Sequence, residues 1–400
     1  KPEYFSTTFW DGAVDISWYD ASQTVFSIDT PAKLAGLAAL VNGQVDAGTP
    51  DYRIKGDRSE LVSTRVDDYL LVGAGGGSQY GTAYVGDAAH DFSDKTVCLT
   101  ADLDMGGSSN WTPIGGLYPM DRDNTERVIV AYFNGTLDGQ GHRITNLFCD
   151  RYAEKGYAYS QGVGLIGHMG DLYDGEAAPE TAPAVRNLSV SGSIYGRRMV
   201  GGIVGRTGSI PTGIYLENCA NHASVKNTDS KGVGGIVGAG WSKGAIVNCY
   251  NTGSVTTGYA CPAGGICGSN GGLDIYNCYN VGTIDSSGSQ RGRAIGGHNN
   301  GSYTVSDCYY LEGCDDDPAS NGWYSGTALS CVVSVTAMPK ADMRSQKLVD
   351  ALNCNGAAYA AVQGSYPVLA WEAERSPAAH TVLCLILPYL PPGKTGGRFL

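Results

Sequence analysis

Four segments of this chain repeat one pattern. They read Leu216-Glu-Asn-Cys-Ala-Asn-His-Ala-Ser-Val225, Ile246-Val-Asn-Cys-Tyr-Asn-Thr-Gly-Ser-Val255, Ile275-Tyr-Asn-Cys-Tyr-Asn-Val-Gly-Thr-Ile284 and Val305-Ser-Asp-Cys-Tyr-Tyr-Leu-Glu-Gly-Cys314. A glycine block precedes the first three: Gly201-Gly-Ile-Val-Gly205, Gly234-Gly-Ile-Val-Gly238 and Gly264-Gly-Ile-Cys-Gly268. The fourth follows a degenerate block, Ala294-Ile-Gly-Gly-His298. The steps Asn218 to Asn248 to Asn277 to Asp307 are 30, 29 and 30 residues. A fixed period of this length marks a stacked repeat, in which each unit is too small to bury its apolar face alone and shares a core with its neighbours.

Each repeat carries two β-type runs rich in Val, Ile and Tyr, with glycine and polar bends between them. Helical spacing of apolar residues is absent inside the repeats. The simplest expectation is an all-β, right-handed β-solenoid with coils of about 30 residues stacked at the ~4.8 Å strand spacing. Such stacking places Cys219, Cys249, Cys278 and Cys308 in one column and Asn218, Asn248, Asn277 and Asp307 in another, where amides hydrogen-bond along the stack. A looser copy, Gly164-Leu-Ile-Gly167 followed by Val185-Arg-Asn-Leu-Ser-Val190, starts the array near residue 160. Phe133 to Leu147 and Val97 to Asp104 read as further coils.

The glycine block with Ile-x-Asn-Cys-Tyr-Asn-x-Gly-x-Val resembles the GLUG repeat of bacterial secreted and surface proteins. Phe26 to Gly43 is similar to the lead-in of that family, Trp111-Thr-Pro-Ile-Gly115 and Phe133 to Gly141 to its first coils, and Leu348 to Asn353 with Ser365 to Trp371 to its closing segment. The resemblance covers most of residues 10–372. It implies a right-handed β-helix-like fold and export, and it leaves the activity open.

The expected organisation is a lead-in with a capping helix over 1–43, an insertion over 44–96, the solenoid over 97–314 (clear repeats over 160–314), a capping segment over 315–372 and a non-repeat tail over 373–400. Thr30 suits an N-cap, Pro31 the first helical turn and Gly43 the stop. A second short helix at Leu348 to Leu352 is expected to cap the far end. Tyr118 to Val130 and His168 to Pro183 also break the period, and loops on a rigid scaffold are where function concentrates.

The formal net charge of −12 argues against nucleic acid and anionic membrane surfaces, which call for basic patches. It suits solubility outside a cell or the binding of structural calcium; no other cofactor is expected. The apolar stretch Thr381 to Leu390 is too short to span a membrane and is broken by Pro388. A start at Lys1 reads as a mature form or a fragment. Of 12 cysteines, the four column residues read as buried thiols, and Cys261, Cys267, Cys314, Cys331 and Cys354 as disulfide candidates.

His-Glu-x-x-His, Gly-x-Ser-x-Gly and P-loop motifs are absent from the sequence. The one Gly-x-Gly-x-x-Gly match, at Gly162 to Gly167, belongs to a glycine block. His168, His222 and His298 occupy different repeat positions and read as scattered surface residues, so no metal site is expected. Paired carboxylates are the one enzymatic option, because a glycosidase needs two carboxyl groups roughly 5–10 Å apart. The candidates are Asp171, Asp174, Glu176 and Glu217. Asp102, Asp104 and Asp138 fit better as acceptors for corner amides. For binding, Trp241 in the bend Gly240-Trp-Ser-Lys-Gly244, with Tyr173, Tyr259 and Tyr276, offers aromatic faces suited to sugar stacking. Tyr250, Tyr279 and Tyr309 form a column that reads as cover for the coil, and Ser224, Ser254 and Thr283 form an outward hydroxyl row.

These observations lead to the expectation of a non-catalytic extracellular or cell-surface module for adhesion or glycan binding. Its partner would be a glycan or host-surface ligand, and the chain would be part of a larger exported protein. A carbohydrate-active β-helix enzyme of glycoside hydrolase type is the alternative.

Overall fold

The computed structural model describes residues 10–43, 63–72, 78–86, 90–119, 127–151, 161–172, 177–229, 231–258, 261–286, 292–299, 301, 303–315, 333–354 and 356–375. Among the described residues the chain is mostly strand, with four short helices: α1 (Pro31–Val41), α2 (Lys340–Met343), α3 (Gln346–Leu352) and α4 (Ala370–Glu374).

Within the repeats the pairing is parallel and advances by one period per step. Val204 pairs with Val237, Val237 with Cys267 and Cys267 with Gly296. The two runs of each glycine block feed two separate five-stranded sheets, and the Ile-x-Asn-Cys-Tyr runs feed a sixteen-stranded one. The asparagine of each run sits at positive φ (53° at Asn218, 52° at Asn248, 51° at Asn277), a conformation in which Asn is well tolerated. It divides the run into two strands, such as Ile214–Glu217 and Ala220–Asn221.

This division corrects the expected fold. The longer strands Ala184–Gly196 and Val305–Leu311 each pair with both halves of their neighbouring runs. The hydrogen-bonded order therefore passes from Ala184–Gly196 through three first halves to Val305–Leu311, then back through three second halves to its start. The result is a closed parallel barrel of eight strands with further sheets beside it, in place of a right-handed solenoid capped by helices at both ends.

The helices differ from expectation at one end only. Thr30 caps α1 by accepting from the Lys33 amide at 3.3 Å, Pro31 opens it, and its Leu34, Leu37 and Leu40 are fully buried near the first strand, Val25–Ile28. The C-terminal helices lie along the flank. Met338, Met343, Leu348, Leu352, Tyr359 and Leu369 make a second core with Tyr250 and Tyr279. The segment then runs back across the repeats. Tyr359 Oη donates to the carbonyls of Asn277 and Cys249, Tyr250 Oη to Glu372 at 2.6 Å, and Trp371 Nε1 to the Asn218 carbonyl. Arg375 ends the course on Asp102 at 2.6 Å. Burial of each tyrosine contributes about 1.5–3 kcal/mol, so this strap holds several repeats at once.

The stacked Asn column forms as the spacing predicts: Asn248 Nδ2 donates to Asn218 Oδ1 at 3.1 Å, and Asn277 to Asn248 at 3.4 Å. A second, fully buried column of Asn221, Asn251 and Asn280 is tighter, with amide contacts of 2.7 Å. The column cysteines are buried, and burial pushes the Cys219, Cys249 and Cys278 thiols well above their usual range. Each of these three donates to carbonyls, so they are inert small apolar groups. The disulfide expectation is corrected: Cys261, Cys267, Cys314 and Cys354 are unbridged, and Cys331 lies outside the described residues.

Replacing Asn251 by Ala leaves the Gly253 amide without its partner and removes one of the two partners of the Asn221 amide and of Asn280 Oδ1 in a dry interior. It should destabilise the protein by roughly 2–3 kcal/mol, read as a lower urea midpoint. Ser254→Ala, on the outward side, should move that midpoint by under about 0.5 kcal/mol.

Candidate functional site

The candidate site lies where the strands Ile166–Met169, Val204–Thr207 and Val237–Gly240 turn into their following bends. Pairing aligns Met169 with Thr207, and Arg206 with Ala239, so the bends after them stack. Asp171 follows the first strand, Ser209 to Pro211 the second and Trp241 to Lys243 the third.

Trp241 is 37% exposed, one of few large apolar side chains facing solvent among the described residues. Its bend is held from inside. Thr207 Oγ1, fully buried, accepts the amides of Trp241 at 2.9 Å and Ser242 at 3.3 Å. The indole borders a groove of about 450 Å3 walled by Ser209, Ile210, Pro211, Lys243, Gly271 and Gly272. A Cβ on Gly271 would stand 3.1 Å from indole Cε3, so the glycine keeps that edge of the ring clear. Tyr215, 36% exposed, pairs in register with Ala245 just past the bend. Sequence reading passed over it. The alternation Ile214-Tyr215-Leu216 was the available signal, since a strand with two buried neighbours turns the middle residue outward.

Asp171 sits two repeats from Trp241, against Gly208, where an added Cβ would meet the Asp171 Cγ at 2.6 Å. Its Oδ1 accepts the Leu172 amide and its Oδ2 lies 3.5 Å from His168 Nε2. Burial acts to raise the Asp171 carboxyl, but the hydrogen bond and charge of His168 with the Arg206 guanidinium outweigh it and hold it below the usual range. His168 corrects the surface-histidine expectation. It is 1% exposed, packs edge-on to Tyr132 and is pushed down to about 4 by burial and by Arg206. Its Nε2 is buried, and Asp171 Oδ2, 3.5 Å away, stands at the outer limit of hydrogen-bond distance from it.

The other candidates do not gather here. Glu217 ends the strand Ile214–Glu217 in the principal sheet, in register with Arg186 and Val247. Tyr276 follows in the same row and is half-buried, raised by that burial and by Asp274. Asp174, Glu176, Tyr173 and Tyr259 lie outside the described residues. Tyr250 and Tyr279 are stacked at 4.9 Å and covered by the strap, which makes them core. His222 is exposed and bonds Thr252, and His298 lies on the strand Gly296–Asn299. Asp102, Asp104 and Asp138 accept the amides of Arg143, Gly106 and Gln140, as corner acids should. Among the described residues, no three His, Cys, Asp or Glu side chains converge as a metal ion requires, and no helix is long and apolar enough to cross a membrane.

No protein-family model matches the chain. Halomucin of Haloquadratum walsbyi is 31% identical over 124 residues, a match that covers 27% of this chain and 1% of halomucin. A solved structure from Bacteroides ovatus, provisionally described as an immunoglobulin A1 protease, is 18% identical with a TM-score of 0.49, covering 86% of this chain and 92% of that one.

The His168 environment sets an acid sensitivity. An unfolded histidine binds a proton near pH 6.5, whereas this folded one resists it until about 4. The neutral ring's contribution is therefore complete above pH 6.5 and declines as the pH falls from 6.5 towards 4, by roughly 2 kcal/mol at pH 5. Thermal unfolding at pH 7 and pH 5 should show this loss, and His168→Gln should reduce the difference. An unchanged difference in that variant would remove His168 as its source.

Proposed function

We propose that the chain is a non-catalytic module of an exported protein, secreted or at the cell surface, that contacts glycans through the Trp241 groove. The observation that carries this reading is the presentation of Trp241. Its ring is exposed beside an open groove while its backbone is fixed by the buried Thr207 hydroxyl. A rigid aromatic face with polar neighbours suits the apolar face of a pyranose, and fixing it beforehand lowers the ordering cost of binding. Export is supported by the resemblance of the repeat motif to the GLUG repeat of secreted and surface proteins, and the partial likeness to halomucin is compatible with it.

The chemistry of the two described candidate acids, Asp171 and Glu217, supports binding over hydrolysis. A glycosidase needs one carboxyl group kept protonated near neutral pH. Asp171 is shifted the opposite way, towards the ionised form, and Glu217 lies in a different sheet.

A glycan array probed with the wild-type protein should return hits. Trp241→Ala should weaken them at least ~10-fold, as removal of a central aromatic anchor does. Release of new reducing ends from any bound glycan would refute the non-catalytic part of the reading. Silence across the array, or hits indifferent to Trp241→Ala, would remove the groove from consideration.

A further inference from the structure

We infer that the Trp241 groove is built for an acidic saccharide, one whose sugar ring carries a carboxylate. This rests on the glycan reading above and specifies its ligand class. The groove wall contributes one formal charge, the exposed Lys243, two residues beyond Trp241 on the same bend.

Lys243 is held in place by its backbone. The Lys243 carbonyl accepts the Ile214 amide at 2.9 Å. The next residue, Gly244, has φ of 127° and lies so close to Ile214 that an added Cβ would stand 1.9 Å from its carbonyl oxygen. On the other side, Thr207 fixes the amides of Trp241 and Ser242. The stacking ring and the cation are therefore carried on one pinned bend. Across the groove Gly272 cannot take a side chain either, because its Cβ would meet the Ser242 carbonyl at 2.7 Å. That wall is backbone, so Gly271 and Gly272 put no side chain into the space beside the indole.

Among the described residues, the nearby acids Asp171 and Asp274 bond to other groups. The Asp171 carboxylate takes the Leu172 amide and faces His168 and Arg206. Asp274, one repeat further along the stack, accepts the Thr304 amide at 2.6 Å and interacts with Tyr276. The Lys243 ammonium is carried on the same bend as the exposed indole, so a carboxylate on a stacked ring meets a local cation in a chain whose formal net charge is −12. A charge-assisted contact at a partly screened rim is worth a several-fold preference, with the indole supplying the affinity common to acidic and neutral sugars.

The test uses two matched probes, an oligosaccharide ending in glucuronic acid and the same oligosaccharide ending in glucose, titrated calorimetrically into the full chain. The expected result is a preference for the acidic probe of roughly fivefold or more at low salt, shrinking as salt rises. Lys243→Gln should abolish the preference, the two probes then binding that variant with equal affinity. Trp241→Ala should weaken both. Equal affinity of the wild type for the two probes, or a preference that survives Lys243→Gln, overturns the acidic specificity while leaving glycan binding in place. Failure of both probes to bind overturns the groove reading along with it.

Discussion

The buried amide column of Asn221, Asn251 and Asn280 is the constraint on which the repeat depends. Each side chain donates to the next through 2.7 Å contacts and to a carbonyl two residues on, while its own oxygen takes a local amide. In a dry interior that full satisfaction is what makes a polar side chain tolerable. The column also explains the glycine block, which lies far away in sequence. A Cβ at Gly202, Gly235 or Gly265 would fall 2.3–2.4 Å from the Asn side chain of the same repeat. The second glycine of Gly-Gly-Ile and the second asparagine of Asn-Cys-Tyr-Asn are thus two halves of one fit.

Much of this was legible in the sequence because it is periodic. Equivalent asparagines one period apart meet in the stack, and Thr30, Pro31 and Gly43 mark a helix by local rules. The closure of the principal sheet was not legible. It arises where the long strands Ala184–Gly196 and Val305–Leu311 bridge both halves of a run, and nothing local in Val185 to Ile194 announces that its Asn187 leaves the strand unbroken. The strap was equally hidden, since Tyr359, Glu372 and Arg375 reach partners 82 to 273 residues away with no periodic relation to them.

The site divides in the same way. Trp241 could be read from its glycine-flanked bend, a local signal of exposure. The state of Asp171 could not, because its charge depends on His168 and on Arg206, which pairs with His168 across the sheet. Two stretches that looked like separate interruptions of the period prove to be one feature. The strands Ser63–Val72 and Ser78–Gly86 join Arg127–Ala131 and Gly116–Pro119 in a single four-stranded sheet.

The course of the strap bears on how such a chain matures. Synthesis delivers the repeats first and the segment that binds Tyr279, Tyr250, Asn218 and Asp102 last. Contacts that link the final residues to the earliest repeats have very high sequence separation and form late. Until they form, a pair of stacked tyrosines stands open on the flank. The strap thus acts as a seal over the repeats: a chain lacking it would keep its periodic strands yet display an aromatic surface of the kind that proteases and chaperones act on.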